Sequence, residues 1–277
     1  MKKIKFLAAV CCMLAVFTAC ENDTKSKIEE LENRIEGLEN GGNSNTGSDT
    51  NQNGGNSNTG SDNATGTANG HGYVDLGLPS GLKWATCNVG ATKPEEYGDY
   101  FAWGETEPKT TYDWSTYKWA TATQNEWGEW NLKTLTKYNT DANYGTVDNK
   151  TVLDPEDDAA RANWGDAWRM PTKEECGELL DNCTLKWVYS YKGTGVAGLI
   201  VTGPNGNSIF LPAAGYRGYR DSNDAGFCGL FWSSSLGTDD PDDAWYVGIL
   251  SIGVSRSCGD RYDGRYCGQS VRPVLGE

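Results

Sequence analysis

The chain has 277 residues and a formal net charge of −14, with 24 lysines and arginines against 38 aspartates and glutamates. The chain has a single histidine, His71, and it lies in a stretch rich in Gly, Asn and Ser. One histidine in such a place excludes a Ser-His-Asp triad, a Cys-His catalytic pair, a His-rich zinc site and an HExxH helix within one chain. The acidic balance repels phosphate backbones, so we expect no nucleic-acid partner.

Residues 1–19 have the pattern of a secretory signal peptide, with three lysines followed by an apolar run from Phe6 to Ala19. This run is shorter than the roughly 20 residues of a membrane-spanning helix. Small residues precede Cys20, and the junction resembles a bacterial lipobox, whose cysteine is acylated. We therefore expect a lipid anchor on Cys20 and a place in the outer membrane, facing the cell surface. An ordinary signal peptide with a chance cysteine is the alternative.

Residues 20–40 combine the anchor with a short heptad pattern. Ile28, Leu31, Ile35 and Leu38 fall on a and d positions, and the residues at the e and g positions have opposite charges. This pattern favours a parallel two-stranded coiled coil, so residues 27–39 predict a homodimer. A coiled coil of only two heptads has marginal stability in free solution, and Gly37 weakens the helix. A solvated single helix is therefore the alternative.

Residues 41–71 are predicted to be a disordered linker of Gly, Asn, Ser, Thr and Asp. The decapeptide NGGNSNTGSD occurs at 40–49 and again at 53–62. Such a segment has too little apolar area to offset the entropy of ordering. As a flexible coil it would have a root-mean-square span of about 30 Å, so it would hold the remaining chain away from a membrane.

Residues 72–277 are predicted to form one α+β head of short antiparallel strands, two helices and long loops. The Asn-Gly turn at 205–206 predicts a hairpin. Predicted strands are Tyr73–Leu76, Leu82–Val89, Gly198–Thr202, Ser208–Leu211, Phe227–Trp232, Ala244–Leu250 and Ser270–Leu275. One helix is predicted from an Asp154 cap to about Trp164, and a second opens on a capping box at Thr172. The insertion 104–150 has no firm periodicity.

Several motifs follow one another through the head. They are GYVDLGLPSG at 72–81, WATCNVG at 84–90, YGDYFAWGE at 97–105, WRMPT at 168–172, FWSSS at 231–235 and SVRPV at 270–274. Together they resemble the Fibrobacter succinogenes major paralogous domain family, which is abundant in Bacteroides-type lipoproteins. The resemblance implies a C-type-lectin-like head related to the formylglycine-generating enzymes. Most members of the family have no assigned activity.

The cysteines suggest one enzymatic alternative. Formylglycine-generating enzymes use two close cysteines near the C-terminus, and this chain offers Cys258 and Cys267 at a wider spacing. Disulfides are the other use of the six head cysteines, with connectivity left open. A Cys176–Cys183 pair is excluded if the helix continues through Cys183, and open again if it breaks after Asp181. A glycosidase is possible with any suitable pair of the many acids, so no pair is singled out.

The acidic run at 239–243 is a candidate calcium site because Ca²⁺ takes six to eight oxygen ligands. Its acids are Asp239, Asp240, Asp242 and Asp243. Lectins of the related fold place a proline between two polar ligands, and Asp240-Pro241-Asp242 resembles that arrangement. A solvated acidic turn is the alternative reading, and we expect no other cofactor.

The C-terminal part of the head carries the residue types that dominate binding surfaces. The candidate ligand-binding residues are Tyr216, Arg217, Tyr219, Arg220, Arg256, Arg261, Tyr262, Arg265 and Tyr266. The prediction is a surface-exposed lipoprotein with a non-catalytic head that binds a glycan or a protein. The alternatives are a formylglycine-generating type of oxidase, a structural or fimbria-like surface component, and residues that are merely solvated.

Overall fold

The computed structural model describes residues 64–218, 224–250 and 262–276. The predicted signal peptide, Cys20, the heptad pattern and most of the predicted linker lie outside these residues. Within the described segments, no helix has the length and apolar character needed to cross a membrane.

The described residues form a mixed fold in which strands predominate and the paired strands run antiparallel. The strands are β1 Gly66–Ala68, β2 His71–Asp75, β3 Lys83–Ala85, β4 Ala120–Gln124, β5 Trp130–Leu135, β6 Trp168–Arg169, β7 Thr184–Val188, β8 Gly198–Thr202, β9 Ser208–Pro212, β10 Cys228–Leu236, β11 Asp243–Leu250, β12 Tyr262–Gly264 and β13 Val274–Leu275. The helices are α1 Ala159–Trp164 and α2 Lys173–Asn182, with 3₁₀ turns at Ala142–Tyr144, Pro155–Asp157 and Tyr191–Gly193. This composition is compatible with the predicted α+β class.

The strands form four sheets, of orders β1-β2-β3-β13-β6, β7-β8-β9, β10-β11-β12 and β4-β5. In the largest sheet, β13 lies between β3 and β6, so that Val274 pairs with Trp84 on one side and with Arg169 on the other. The late strand β13 therefore joins the beginning of the head to its middle.

The head begins earlier than predicted. Gly66–Ala68 pairs with His71–Asp75 across a tight turn, in which Asn69 and Gly70 have φ of 48° and 81°. An Asn-Gly pair favours such a turn because both residues tolerate positive φ. The prediction that the disordered linker extends to residue 71 is therefore wrong for its last residues, which form a hairpin.

The two predicted helices exist, with one boundary corrected. Asp158, rather than Asp154, caps α1 by accepting the Arg161 N–H at 3.1 Å, because Pro155–Asp157 forms a separate 3₁₀ turn. The capping box of α2 is confirmed, since Thr172 Oγ1 accepts the Glu175 N–H at 3.3 Å and Glu175 accepts the Thr172 N–H at 2.8 Å.

Strand predictions were best where a turn signal fixed the register. The hairpin of β8 and β9 is confirmed, whereas the predicted strand Leu82–Val89 contracts to β3 and Ser270–Leu275 contracts to β13. The insertion 104–150, whose sequence has no firm periodicity, contains the hairpin of β4 and β5.

Two large apolar clusters form the core. One contains Val74, Leu179 and Leu199, and the other contains Trp103 and Trp232. The five described cysteines are buried, and no disulfide joins any two of them. Cys176 and Cys183, which lie at the start and just past the end of α2, are both part of the first cluster.

Candidate functional site

Three distant segments meet beside the second core cluster. Phe101 and Gln269 exchange two backbone hydrogen bonds of 3.0 Å each, and Arg217 and Gly268 exchange bonds of 2.7 and 2.8 Å. These isolated bridges hold residues 100–101, 216–218 and 266–269 side by side. Side chains from all three segments can therefore share one surface.

That surface is aromatic and half-exposed, and we call Tyr100, Trp114, Arg217 and Tyr266 the aromatic face. The Arg217 guanidinium carbon lies 4.6 Å from the centre of the Tyr100 ring, within cation–π range. The Trp114 and Tyr266 ring centres are 4.8 Å apart, tilted by 56°. The aromatic face thus presents contacting aromatic rings and one cation to solvent.

Buried Tyr112 supports the aromatic face from below. Tyr100, Trp114 and Tyr266 all pack against the small cluster to which it belongs, and its hydroxyl donates to the Tyr100 carbonyl at 2.6 Å. A Cβ on Gly268 would lie 2.6 Å from the Tyr112 ring, so glycine is required there for the ring to fit. Burial raises the pKa of both Tyr100 and Tyr112, so their hydroxyls stay protonated at neutral pH.

The prediction that Arg265 contributes to an exposed binding surface is wrong. Its side chain is 0% exposed. The guanidinium donates to the Tyr117 hydroxyl at 2.8 Å and to the carbonyls of Lys137, Tyr138 and Pro241 at 2.9 Å each. These four hydrogen bonds all go to groups within the head, so Arg265 is a structural residue.

The remaining predicted binding residues divide into two groups. Arg217 and Tyr266 lie on the aromatic face, and Tyr216 is half-exposed next to Arg217 in the chain, whereas Tyr262 belongs to β12 and pairs with Trp245. Four others lie outside the described residues, and for them the assignment stays a prediction: Tyr219, Arg220, Arg256 and Arg261.

Sequence reasoning missed Tyr100, Tyr112 and Trp114. They come from the motif at 97–105 and from the insertion, where Tyr112, Trp114, Tyr117 and Trp119 crowd into eight residues. That density of aromatic residues was the available signal.

The acidic run forms a tight loop beside Arg265. The Asp243 N–H donates to the Asp240 carbonyl at 3.0 Å, and the Arg265 N–H donates to the Asp242 carbonyl at 3.0 Å. Carboxylate oxygens of Asp240, Asp242 and Asp243 lie within 4.8 Å of one another. Asp239 is exposed and is not part of this group.

The electrostatics of the loop are those of two carboxyl groups sharing a proton. Desolvation, followed by the hydrogen bond with Asp240 and the charge of Asp243, raises the pKa of Asp242 to about 7. The same hydrogen bond lowers the pKa of Asp240, whose carboxylate also accepts the Tyr144 hydroxyl. Three converging carboxylates fit a hard cation such as Ca²⁺, whose other ligands would be carbonyls, water or ligand hydroxyls.

The described cysteines are poorly suited to react with a substrate. Cys267 is 5% exposed, and Cys258 lies outside the described residues. Burial, with a nearby carboxylate, raises the pKa of Cys183 and of Cys228 to about 11 each, which keeps both thiols protonated. A reactive cysteine needs the opposite, an accessible thiolate.

Comparison with known proteins gave no match: no protein-family model, no curated protein and no solved structure is significantly similar to this chain. The family resemblance of the head motifs therefore stays a prediction. What can be argued about function comes from the site itself.

Proposed function

We propose that the protein is a lipid-anchored outer-membrane surface protein whose head binds a glycan or a protein ligand without transforming it. The head would be a C-type-lectin-like member of the Fibrobacter succinogenes major paralogous domain family. The binding site would be the aromatic face, and Cys20 would carry the anchor.

The observation that supports this proposal is the composition and rigidity of the aromatic face. Tyrosine, tryptophan and arginine dominate the energetics of binding surfaces because they offer large contact areas and hydrogen bonds for few rotatable bonds. Here their positions are fixed by the backbone bridges of residues 101, 217, 268 and 269 and by Tyr112 beneath. Little further ordering is needed when a ligand arrives.

Binding is favoured over the oxidase alternative by the burial of Cys267. An oxidase of that type would need this thiol to meet a substrate cysteine. A cation at the acidic loop would be a second, separable proposal. It would make binding depend on Ca²⁺ only if the ligand also contacts the loop.

The test is an array of glycans and secreted proteins probed with the full chain. Trp114→Ala combined with Tyr266→Ala removes one pair of contacting rings from the aromatic face. We expect the affinity for the ligand that binds to fall about tenfold or more. Tyr189→Ala is the matched control, because Tyr189 is exposed and lies at the end of β7. Equal binding by the double variant and the control would place the site elsewhere.

A further inference from the structure

Arg217 differs from the other arginines that the structure describes. Arg161 and Arg169 form ion pairs with carboxylates at 3.3 and 2.6 Å. Arg265 and Arg272 are buried and donate to oxygen atoms within the head. Arg217 is half-exposed, and its guanidinium forms neither an ion pair nor a hydrogen bond with any described residue. In a chain with 38 acids and 24 bases, such an arginine keeps its pairing capacity for a ligand.

The position of Arg217 is nevertheless fixed. Its backbone exchanges two hydrogen bonds with Gly268, and its guanidinium carbon lies 4.6 Å from the centre of the Tyr100 ring. That ring is held in turn, because the Tyr100 hydroxyl donates to the Ala214 carbonyl and the Tyr100 carbonyl accepts the Tyr112 hydroxyl. The N–H donors of a guanidinium lie in its own plane, so a guanidinium that rests on a ring can still donate from its edges.

Trp114 adds a second donor to the aromatic face. Its ring is half-exposed, and its indole N–H donates to no group among the described residues. The Tyr100 hydroxyl, by contrast, is already used in a hydrogen bond. Arg217 and Trp114 thus offer donors only, and an ionised carboxylate is the ligand group that only accepts.

The charges of the chain limit how many anionic groups such a ligand can carry. The net charge is −14, and the exposed Asp99 directly precedes Tyr100. A polyanion would meet these acids along its length, whereas the screening length of about 8 Å at physiological salt leaves a direct contact with Arg217 largely intact. A single carboxylate therefore fits the aromatic face better than a run of them.

The backbone of the aromatic face favours a sugar over a peptide as the carrier of that carboxylate. The bridges that join its three segments use backbone groups that an added peptide strand would need. Acidic peptide motifs are bound by clusters of arginines, and in the described part of the chain a single arginine lies here. The C–H groups on the flat side of a sugar ring, by contrast, pack against the electron-rich faces of aromatic rings.

We propose that the aromatic face binds an acidic sugar residue, a uronic or sialic acid, at the end of a glycan. The carboxylate would pair with the Arg217 guanidinium, and the sugar ring would pack against Trp114 and Tyr266. This inference rests on the function proposed above and names the chemical class of its ligand.

The experiment uses the full chain in neutral detergent, labelled with 5-fluorotryptophan and followed by ¹⁹F NMR. The Trp114 resonance is the one missing from Trp114→Phe. The probes are 3′-sialyllactose and cellobiouronic acid, and each is compared with its own neutral carboxamide. We expect at least one acid to shift the Trp114 resonance saturably and to bind about tenfold more tightly than its carboxamide.

Charge variants test whether Arg217 is the source of this preference. In Arg217→Gln the acid and its carboxamide should bind within about twofold of each other. Arg161→Gln is the matched control, because it removes the same charge from another half-exposed arginine, and it should keep the tenfold preference. Loss of the preference in both variants would overturn the proposal.

Three further results would also overturn it. These are equal binding of acid and carboxamide by the unsubstituted chain, no Trp114 shift with any probe, and an equally tight, Arg217-dependent shift with the peptide acetyl-Gly-Glu-Gly-amide.

Failure of the proposed function itself would look different. A ligand found on the array that loses affinity in Trp114→Ala with Tyr266→Ala, but not in Arg217→Gln, would keep the aromatic face as the binding site and exclude an acidic sugar. A ligand unaffected by all three substitutions would exclude the aromatic face as well.

Discussion

Arg265 and Arg272 are both fully buried cations that are solvated by oxygen dipoles. Arg272 donates to the Asn88 side chain at 2.8 Å and to the carbonyls of Ala85 and Phe210 at 3.0 and 2.9 Å. Desolvation lowers the pKa of Arg272 to about 10, so it stays charged at neutral pH. Among the described residues, no carboxylate forms an ion pair with either guanidinium. The planar guanidinium, with several N–H donors in fixed directions, satisfies the buried acceptors at both sites, which a charge alone would not do.

Replacing Arg265 by lysine should therefore destabilise the head strongly. An ammonium group cannot reach the Tyr117 hydroxyl and three carbonyls at once, so buried acceptors lose their donors. We expect the free energy of unfolding to fall by about 3 kcal/mol in urea denaturation. Arg217→Lys, at a half-exposed position, should change it by less than about 0.5 kcal/mol. Equal effects of the two substitutions would contradict the structural role of Arg265.

Asp242 predicts a dependence of stability on pH. Its pKa of about 7 in the folded head exceeds the ordinary value of 3.8, so the folded state holds a proton that the unfolded state releases. This contribution is fully present below pH 3.8 and is lost as the pH rises through about 7. In EDTA, with all other groups unchanged, the free energy of unfolding should fall less between pH 4 and 8 in Asp242→Asn than in the unsubstituted chain. We expect this difference to be about 2 kcal/mol at most, because Asp242 is half-exposed. An unchanged pH profile in the variant would show that Asp242 titrates normally.

Bound calcium would oppose this loss of stability at higher pH. A bound cation favours the ionised carboxylates, so stability between pH 7 and 8 should then rise with added Ca²⁺. In Asp242→Asn the rise should be reduced. Isothermal titration that shows no heat for the full chain would leave the loop as a solvated acidic turn.

At the scale of elements, sequence reasoning succeeded where the determining interactions are local. The capping box at Thr172 and the Asn-Gly turn after β8 lie within a few residues of what they specify. The ribbon of β4 and β5 was missed because β4, with the sequence ATATQ, has no large apolar residue and a bulge interrupts the register. Local patterns carry little information about such a ribbon.

The candidate site was less predictable for the same reason. Arg265 was expected in solvent because it sits among Gly, Asp, Tyr and Cys, yet the groups that bury it lie 24 to 148 residues away in the chain. Arg217 and Tyr266 were found by composition, but their neighbour Tyr100 is supplied by another segment through isolated bridges. Only the tertiary structure shows which of these residues face outward.

At the scale of the whole molecule, the predicted plan is an anchor, a short helix, a spacer and a head. If residues 27–39 associate, two heads would be held near each other on one membrane, and each could add to the avidity of the other. We expect residues 21–277 to sediment as a dimer and residues 41–277 as a monomer in analytical ultracentrifugation. Identical sedimentation of the two as monomers would count against a coiled coil.

The central position of β13 has a consequence for biogenesis. Strand β3, at the start of the head, pairs with β13, which is synthesised much later. The same separation shows in the hydrogen bond from Arg272 to Ala85, which joins residues 187 positions apart. Such distant closure is slow, and the largest sheet stays split until β13 emerges. If the chain is exported, as we propose, its largest sheet would still be unassembled during passage through the secretion channel and would close only after the late segment has been delivered.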